Sequence, residues 1–287
     1  MDVRRMKKFD AHVHILPEAV LQANSDAEDD FSFAKMTEHK KWMDAYHVEK
    51  AVIMPFNDPY VMSMEFTVEK VHENLIRMCE ENPSRYVAFA DVDVWNKNTK
   101  ENCEELRKVL KHPCMKGIKL HPNNTERNID DAYNDGIFEL AREFNVPITI
   151  HSYPAGYRSR NREDFSAPKR ILAMQRRHPE TTLIISHCGG FQWEDCLNLN
   201  AYYDISAILP DWVEDFGIAE TEKMMRCLGL EKLFFATDWP FSRSLKPEEI
   251  YPRYMEILEA MKFTEEELEG LFYRNYIRKL MKEQRGM

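Results

Sequence analysis

The chain has 287 residues, a hydrophobic content of 44% and a formal net charge of −10 at pH 7. A chain of this length suits one large barrel or two modest domains. The acidic balance, without any block of Lys or Arg, argues against a nucleic-acid-binding protein. No apolar run approaches the length of a membrane helix, and no apolar signal-peptide core follows the basic residues between Met1 and Lys8.

The cysteines give an expectation about compartment. Six cysteines are spread along the chain without any C-x-x-C pair. In a chain without a secretion signal, such cysteines are most simply reduced thiols. We therefore expect a cytoplasmic protein.

Eight short segments are predicted to be strands. Most of them are nearly continuous apolar runs, which is typical of parallel strands that are covered on both faces. They lie near Lys8–His12, Lys50–Met54, Tyr86–Val92, Gly117–His121, Pro147–His151, Thr182–His187, Tyr202–Ser206 and Leu233–Asp238. Eight strands that alternate with helices predict an α/β fold, a single (β/α)8 TIM barrel that forms one domain over residues 1–287.

The segments between the strands have helical periodicity. Ile137, Leu140 and Phe144 fall on one face of a predicted helix, at spacings of three and four residues. Thr264 and Glu267 have the spacing of a capping box and predict where the last helix begins.

Two predicted loops are longer than simple connectors need to be. The first covers residues 16–35 and is acidic, and the second covers residues 152–165 and carries Arg158, Arg160 and Arg162. Both would leave the C-terminal face of the barrel, where long loops are usually lids or substrate-binding elements. The alternative for each loop is a solvated surface excursion.

Possible metal ligands stand where several predicted strands end. His12 and His14 close the first strand, and His151, His187 and Asp238 close three later ones. Residues that are far apart in sequence meet if each lies at the C-terminal end of a barrel strand, which is where barrel enzymes keep their chemistry. The repeated placement predicts a metal centre at that face.

The two histidines of the first strand form the strongest local signal. His12 and His14 are two residues apart, so their side chains point to the same face of the strand. The rise of about 3.3 Å per residue keeps both imidazoles near one ion, and neutral imidazole suits Zn, Mn or Fe. Asp10 could orient one of these rings through a hydrogen bond.

Six motifs along the chain carry a family resemblance. They are Asp10–His14, Asn82–Tyr86, Gly117–Pro122, Pro147–His151, Ser186–Gly190 and Thr237–Phe241. With them the chain resembles the metal-dependent amidohydrolase superfamily, and within it the amidohydrolase-related branch (amidohydrolase 2). That branch includes aminocarboxymuconate semialdehyde decarboxylase and related lactonases.

The resemblance implies a role for each strand-end residue. His12, His14 and His151 match the family's histidine ligands. Asp238 matches the aspartate that contacts the metal and takes a proton from water, so it is both ligand and catalytic residue. His187 matches a second catalytic residue, an acid, base or polarising group beside the metal. One divalent ion is implied, Zn with Mn as the alternative.

A further set of residues is expected to bind the substrate. Lys119 would pair with a substrate anion, and its alternative role is the carboxylated bridge of binuclear relatives. His121 would contact substrate or satisfy the backbone at its strand end. Arg158 and Arg162 would bind a carboxylate. Trp239 would stack on a planar substrate or pack at the barrel rim.

Two reactions fit these residues, and both act on a small-molecule substrate. In the favoured one, metal-activated water hydrolyses an amide, ester or lactone, Asp238 moves the proton and His187 helps to stabilise the oxyanion. The alternative is a non-oxidative decarboxylase. A third reading is a barrel that binds metal or ligand without turnover, against which the complete ligand set argues. Relatives commonly form dimers, so a homodimer is the expected assembly.

Overall fold

The fold is built on an eight-stranded sheet in which the strands follow one another in chain order. The computed structural model describes residues 2–23, 30–55, 67–153 and 164–281. The strands are β1 (Lys8–Val13), β2 (Val48–Ile53), β3 (Tyr86–Ala90), β4 (Met115–Leu120), β5 (Ile148–His151), β6 (Leu183–Ser186), β7 (Tyr202–Asp204) and β8 (Leu233–Phe234). The strand pairs with a defined register are parallel. The predicted (β/α)8 barrel class is confirmed.

Helices connect these strands. They are α1 (Glu18–Ala23), α2 (Met36–Ala45), α3 (Val68–Glu81), α4 (Thr99–Val109), α5 (Pro122–Thr125), α6 (Asp135–Glu143), α7 (Pro168–Arg177), α8 (Trp193–Cys196), α9 (Ile208–Leu228), α10 (Pro247–Ala260) and α11 (Glu265–Glu269). The predicted capping box opens α11, where Thr264 and Glu267 each bond the other's backbone N–H. Within the described ranges, no helix is long and apolar enough to cross a membrane.

The chain consists of two compact units. One unit consists of Met1–Ile53 with Asp204–Met287, and the other is Met54–Tyr203. That the whole chain forms one domain stays a prediction. Each unit has its own apolar core and its own group of candidate site residues.

In the first unit, β1 is buried along its whole length. The ring of Phe9 stacks on Tyr276 with 4.2 Å between the ring centroids. The backbone N–H of Ala11 donates to the carbonyl of Phe235, 2.9 Å away. β1 is therefore fixed to the segment that follows β8 as well as to β2.

In the second unit, α3 packs through one apolar face that includes Val68, Leu75 and Met78. On the same helix, His72 accepts a hydrogen bond from the backbone N–H of Asp91 at 2.9 Å, and its other ring nitrogen is 3.0 Å from Glu105. This buried histidine bonds α3 to α4 and to the end of β3.

The predicted long loops lie partly outside the described residues. Within the first, the structure places α1 and a 3-10 turn, Asp30–Phe33. Arg158, Arg160 and Arg162 of the second fall among residues 154–163, outside the described residues, so their role as substrate-binding groups stays a prediction.

We expect Gly117→Ala to lower the free energy of unfolding by about 1–3 kcal/mol, because overpacking of a filled core forces neighbours to shift. A Cβ at this β4 position would overlap the ring of Phe89 on β3. Urea unfolding followed by circular dichroism measures the loss. In a Phe89→Leu background the same change should cost less, and an unchanged cost would mean that the ring overlap is not its cause.

Candidate active site

Three side chains of the first unit converge on one point. The Nε2 atoms of His12 and His14 lie 3.1 Å and 3.2 Å from the same atom, Oδ1 of Asp238. One donor atom from each residue lies within 4.8 Å of the others. Two imidazoles and a carboxylate at these distances form a set that could hold a metal ion.

The backbone places Asp238 beside the two histidines. The eighth strand was predicted to reach Asp238, but it ends at Phe234, and the chain then continues along β1. The N–H of Asp238 donates to the carbonyl of His12 at 2.9 Å, and the N–H of His14 donates to that of Trp239 at 2.7 Å. Asp238 itself has a φ of 65°, the left-handed region that non-glycine residues seldom adopt. Such strained positions concentrate at functional sites.

His12 has a second carboxylate partner on the other side of its ring. Its Nδ1 lies 3.1 Å from Oδ2 of Asp204, the last residue of β7, and 3.3 Å from the hydroxyl of Ser206. Because an ionised carboxylate only accepts hydrogen bonds, the proton belongs on Nδ1. Nε2 faces Oδ1 of Asp238 at the same distance, so both ring nitrogens point at carboxylates. With the proton on Nδ1, Nε2 would be the atom that ligates a metal ion between it and Asp238.

Asp10 joins β1 to the segment that leads to Asp238. It is fully buried and accepts hydrogen bonds from the N–H and hydroxyl of Thr237, at 3.1 and 2.7 Å, and from the hydroxyl of Tyr251 at 2.7 Å. It also accepts from the N–H of His12 at 3.2 Å. Burial raises the pKa of Asp10 to about 7, against the opposing effect of these donors. The carboxylate is held in place by these four hydrogen bonds.

The first unit concentrates negative charge around the site. Burial, and then the charges of Asp238, Asp10, Asp204 and Asp211, raise the pKa of Tyr254 well above its ordinary value. Carboxylates that are removed from water are costly unless a cation or hydrogen bonds compensate them. A divalent ion at the converging donors would supply the compensating charge.

The second unit holds another group of predicted site residues. Nε2 of His187 lies 3.1 Å from Nδ1 of His151, and the ring of His121 stacks on that of His151 with 3.8 Å between centroids. His187 follows β6 with a φ of 59°. Nδ1 of His121 accepts the N–H of Asn124 at 3.1 Å. Of the two roles considered for His121, this contact supports backbone capping at the strand end.

The remaining predicted residues are placed as follows. Lys119 is buried on β4, and its Nζ donates to the hydroxyl of Ser186 at 3.2 Å. Trp239 is fully buried and packs against His39, with 4.9 Å between ring centroids. This burial supports the packing role, the second of the two considered for it, and the choice between them stays a prediction.

Sequence reasoning did not identify Asp204, Ser206 or Tyr251 as part of the site. Asp204 lay inside the predicted strand Tyr202–Ser206, two residues before its end, whereas in the structure it is the last residue of β7. Tyr251 gave no signal, because it lies inside the helix α10 and meets Asp10 only through the fold.

Comparisons with known proteins identify the family. A family model described as amidohydrolase (Amidohydro_2) matches residues 9–278, so the chain belongs to this family of enzymes. A search of curated proteins found no match.

Similar solved structures support the fold. The 2,6-dihydroxybenzoate decarboxylase from Rhizobium aligns with a TM-score of 0.72 and 16% identity, over 97% of this chain and 99% of that one. The 5-carboxyvanillate decarboxylase from Novosphingobium aromaticivorans aligns with a TM-score of 0.67 and 13% identity, over 97% of each chain. That structure is a complex with manganese and 4-hydroxy-3-methoxy-5-nitrobenzoic acid. An uncharacterised TIM-barrel protein from Bordetella bronchiseptica aligns with a TM-score of 0.73 and 13% identity, over 98% of this chain and 100% of that one. At these identities the likeness concerns the fold.

We expect Tyr251→Phe to destabilise the protein by about 1.5–3 kcal/mol, the range for a lost hydrogen bond to a charged group. Tyr254→Phe is the comparison, because its buried hydroxyl donates to the neutral carbonyl of Ile205 at 3.0 Å, whereas that of Tyr251 contacts both Asp10 and, at 2.9 Å, Nε2 of His39. The cost of Tyr254→Phe should be about 0.5–1.5 kcal/mol. Urea unfolding at a pH above the pKa of Asp10 measures both. Equal losses would contradict a special contribution from the Asp10 carboxylate.

Proposed function

We propose that the protein is a metal-dependent hydrolase that cleaves an amide, ester or lactone bond in a small carboxylated substrate. One observation carries the proposal: two imidazole nitrogens and one carboxylate oxygen converge within hydrogen-bonding distance, through His12, His14 and Asp238. Family membership supports a hydrolytic enzyme, and the buried carboxylates around the site favour a bound cation.

The donor set fits a divalent ion such as Zn or Mn. Asp204 fixes the proton of His12 on Nδ1, which leaves Nε2 able to ligate. When bound, such an ion polarises a carbonyl group and makes a water molecule acidic near neutral pH. We take Zn as the first candidate and Mn as the second, with one ion per chain.

Asp238 is the residue best placed to move a proton. Its side chain is 14% exposed, whereas that of His12 is 1% exposed, so water and substrate can approach the carboxylate. A carboxylate beside the attacking water can accept its proton and later pass it to the leaving group. In this proposal Asp238 serves as ligand and as general base.

The residues of the second unit keep the roles that the family resemblance implies. His151 is proposed as a further ligand, and His187 as the group that donates a proton or hydrogen bond to the developing oxyanion. Lys119, with Arg158 and Arg162, is proposed to bind the substrate carboxylate. These assignments stay predictions.

Decarboxylation is the second candidate reaction. The observation that favours it is the structural likeness to decarboxylases of two aromatic acids. The same ligands would then hold a carboxylated substrate, and an acid such as His187 would protonate the carbon from which carbon dioxide departs.

We expect purified protein, reconstituted with Zn or Mn, to contain about one ion per chain. His12→Ala and Asp238→Asn should abolish stoichiometric binding, and Asp204→Asn should weaken it by about 10–100-fold, the usual cost of removing the partner of a ligating histidine. His178→Ala is the control, because His178 pairs with Asp135 at 2.7 Å in the second unit. Elemental analysis and metal titration give the numbers.

Retention of full metal content by the His12 and Asp238 variants would contradict the assigned site. About two ions per chain would instead favour the binuclear alternative, in which a carboxylated Lys119 bridges the metals.

We expect the reconstituted enzyme to hydrolyse some member of a panel of carboxylated lactones, esters and anilides in ¹⁸O-labelled water, with ¹⁸O entering the product acid. Dihydroxybenzoates in D₂O test the second candidate, since decarboxylation places deuterium on the carbon that loses carbon dioxide. Asp238→Asn should lower either rate by at least about 10²–10⁴-fold, the usual contribution of a general base, because it removes the metal ligand as well. Metal-loaded protein without turnover on either panel would favour the non-catalytic barrel.

A further inference from the structure

A chain of four interacting side chains lies in the second unit, away from the residues used above. Cys79 is near the end of α3, and its thiol is hydrogen-bonded to that of Cys114, which immediately precedes β4. Sγ of Cys114 is 3.1 Å from Nδ1 of His112. Nε2 of the same imidazole is 3.2 Å from Oε1 of Glu80. The order is thiol, thiol, imidazole, carboxylate.

Main-chain hydrogen bonds anchor the segments that carry the two cysteines. The carbonyl of Cys79 accepts the N–H of Asn82 at 3.1 Å, which closes α3. The carbonyl of Cys114 accepts the N–H of Ala88 on β3 at 2.9 Å. His112 is held by its own carbonyl, which accepts the N–H of Met115 at 3.0 Å. Backbone hydrogen bonds therefore fix the segments that carry both cysteines and His112.

The two thiols differ in exposure and in acidity. Cys79 is buried and Cys114 is half-buried. The hydrogen bond from the Cys79 thiol, assisted by His112, lowers the pKa of Cys114 to about 7 although burial opposes this. The same hydrogen bond, with burial, raises the pKa of Cys79. A half-exposed, low-pKa cysteine next to a second cysteine is the usual arrangement of a reactive and a resolving thiol.

We propose that Cys114 and Cys79 form a peroxide-oxidisable thiol pair, in which Cys114 is the attacking thiolate and Cys79 resolves it to a disulfide. The co-reactant is hydrogen peroxide or an organic hydroperoxide. The Cys114 thiolate attacks one peroxide oxygen, the O–O bond breaks, and hydroxide or an alkoxide leaves, so that sulfenic acid forms. The Cys79 sulfur then displaces the sulfenic hydroxyl as water. In total the pair loses two electrons and two protons, and the peroxide is reduced.

His112 and Glu80 act as positioning residues for Cys114. Because the Glu80 carboxylate accepts a hydrogen bond from Nε2, Nδ1 faces the sulfur and can take its proton. An imidazolium next to a thiolate keeps that thiolate ionised. The titratable groups that face Cys114 are Cys79 and Glu80 on α3 and His112 in the turn before β4.

The pair is independent of the proposed function. Cys114 precedes β4 and His121 follows it. The strand between them has six residues and spans about 20 Å at the usual rise. A failure of the metal or hydrolase proposal would leave this inference untouched.

The test is oxidation of the full-length protein by equimolar hydrogen peroxide, read by intact mass and peptide mapping. Wild type should lose two hydrogens and yield a peptide linked through Cys79 and Cys114. Cys79→Ser should accumulate a sulfenic acid at Cys114 that dimedone traps, and Cys114→Ser should form neither product. Cys103→Ser should behave like wild type, because Cys103 is also half-buried but burial raises its pKa.

A linked peptide in wild type together with dimedone labelling in Cys79→Ser would support the assignment. Absence of both products, or faster oxidation of the exposed Cys227 than of Cys114, would overturn it.

The positioning role has its own readout, the pH midpoint of Cys114 alkylation by iodoacetamide. Glu80→Gln and His112→Ala should each raise this midpoint. At a pH below the midpoint, a rise of one pH unit lowers the fraction of Cys114 that is thiolate about tenfold. Glu80 is 64% exposed, so its conservative variant should fold normally, and thermal melting checks this. Lys108→Gln, a surface change on α4, is the control. An unchanged midpoint in Glu80→Gln and His112→Ala would overturn the positioning role.

Discussion

The buried carboxylate of Asp10 is the constraint on which the first unit depends. It accepts hydrogen bonds from β1, from Thr237 beyond β8 and from Tyr251 on α10. Removed from water, it is tolerable only while these donors remain in place. Because Thr237 directly precedes Asp238, the same bonds that satisfy Asp10 also fix the carboxylate that faces His12. Stability and site geometry are therefore coupled through one side chain.

Most of the fold follows from local patterns that sequence reasoning can read. Apolar runs marked most of the eight strands, and the structure changes the strand ends by a few residues only. Local chemistry also fixed the start of α11, since Thr264 and Glu267 satisfy each other's backbone within one turn. The alternation of side chains along β1 placed His12 and His14 on one face, and their shared contact with Asp238 agrees with that prediction.

What the sequence could not provide depends on contacts between distant residues. The eighth strand was expected to reach Asp238, but the Asp10 carboxylate bonds the N–H of Thr237, and the regular ladder ends at Phe234. The left-handed conformation of Asp238 cannot be predicted from local propensity alone, although aspartate is among the residues enriched in that region. Tyr251 was likewise invisible, since a tyrosine in a helix is ordinary until the fold brings it to a buried carboxylate.

The buried carboxylates of the first unit suit metal binding but lower the stability of the fold. Asp204 and Asp238 flank the His12 imidazole, and Asp10 is buried two residues before it. Without a cation, mutual repulsion and desolvation of these carboxylates reduce the free energy of unfolding. A divalent ion bound by the converging ligand atoms would instead raise the free energy of unfolding, because it binds the folded state and not the dispersed ligands of the unfolded chain. The same negative charge that is costly without a cation would thus hold the ion that the proposed chemistry needs.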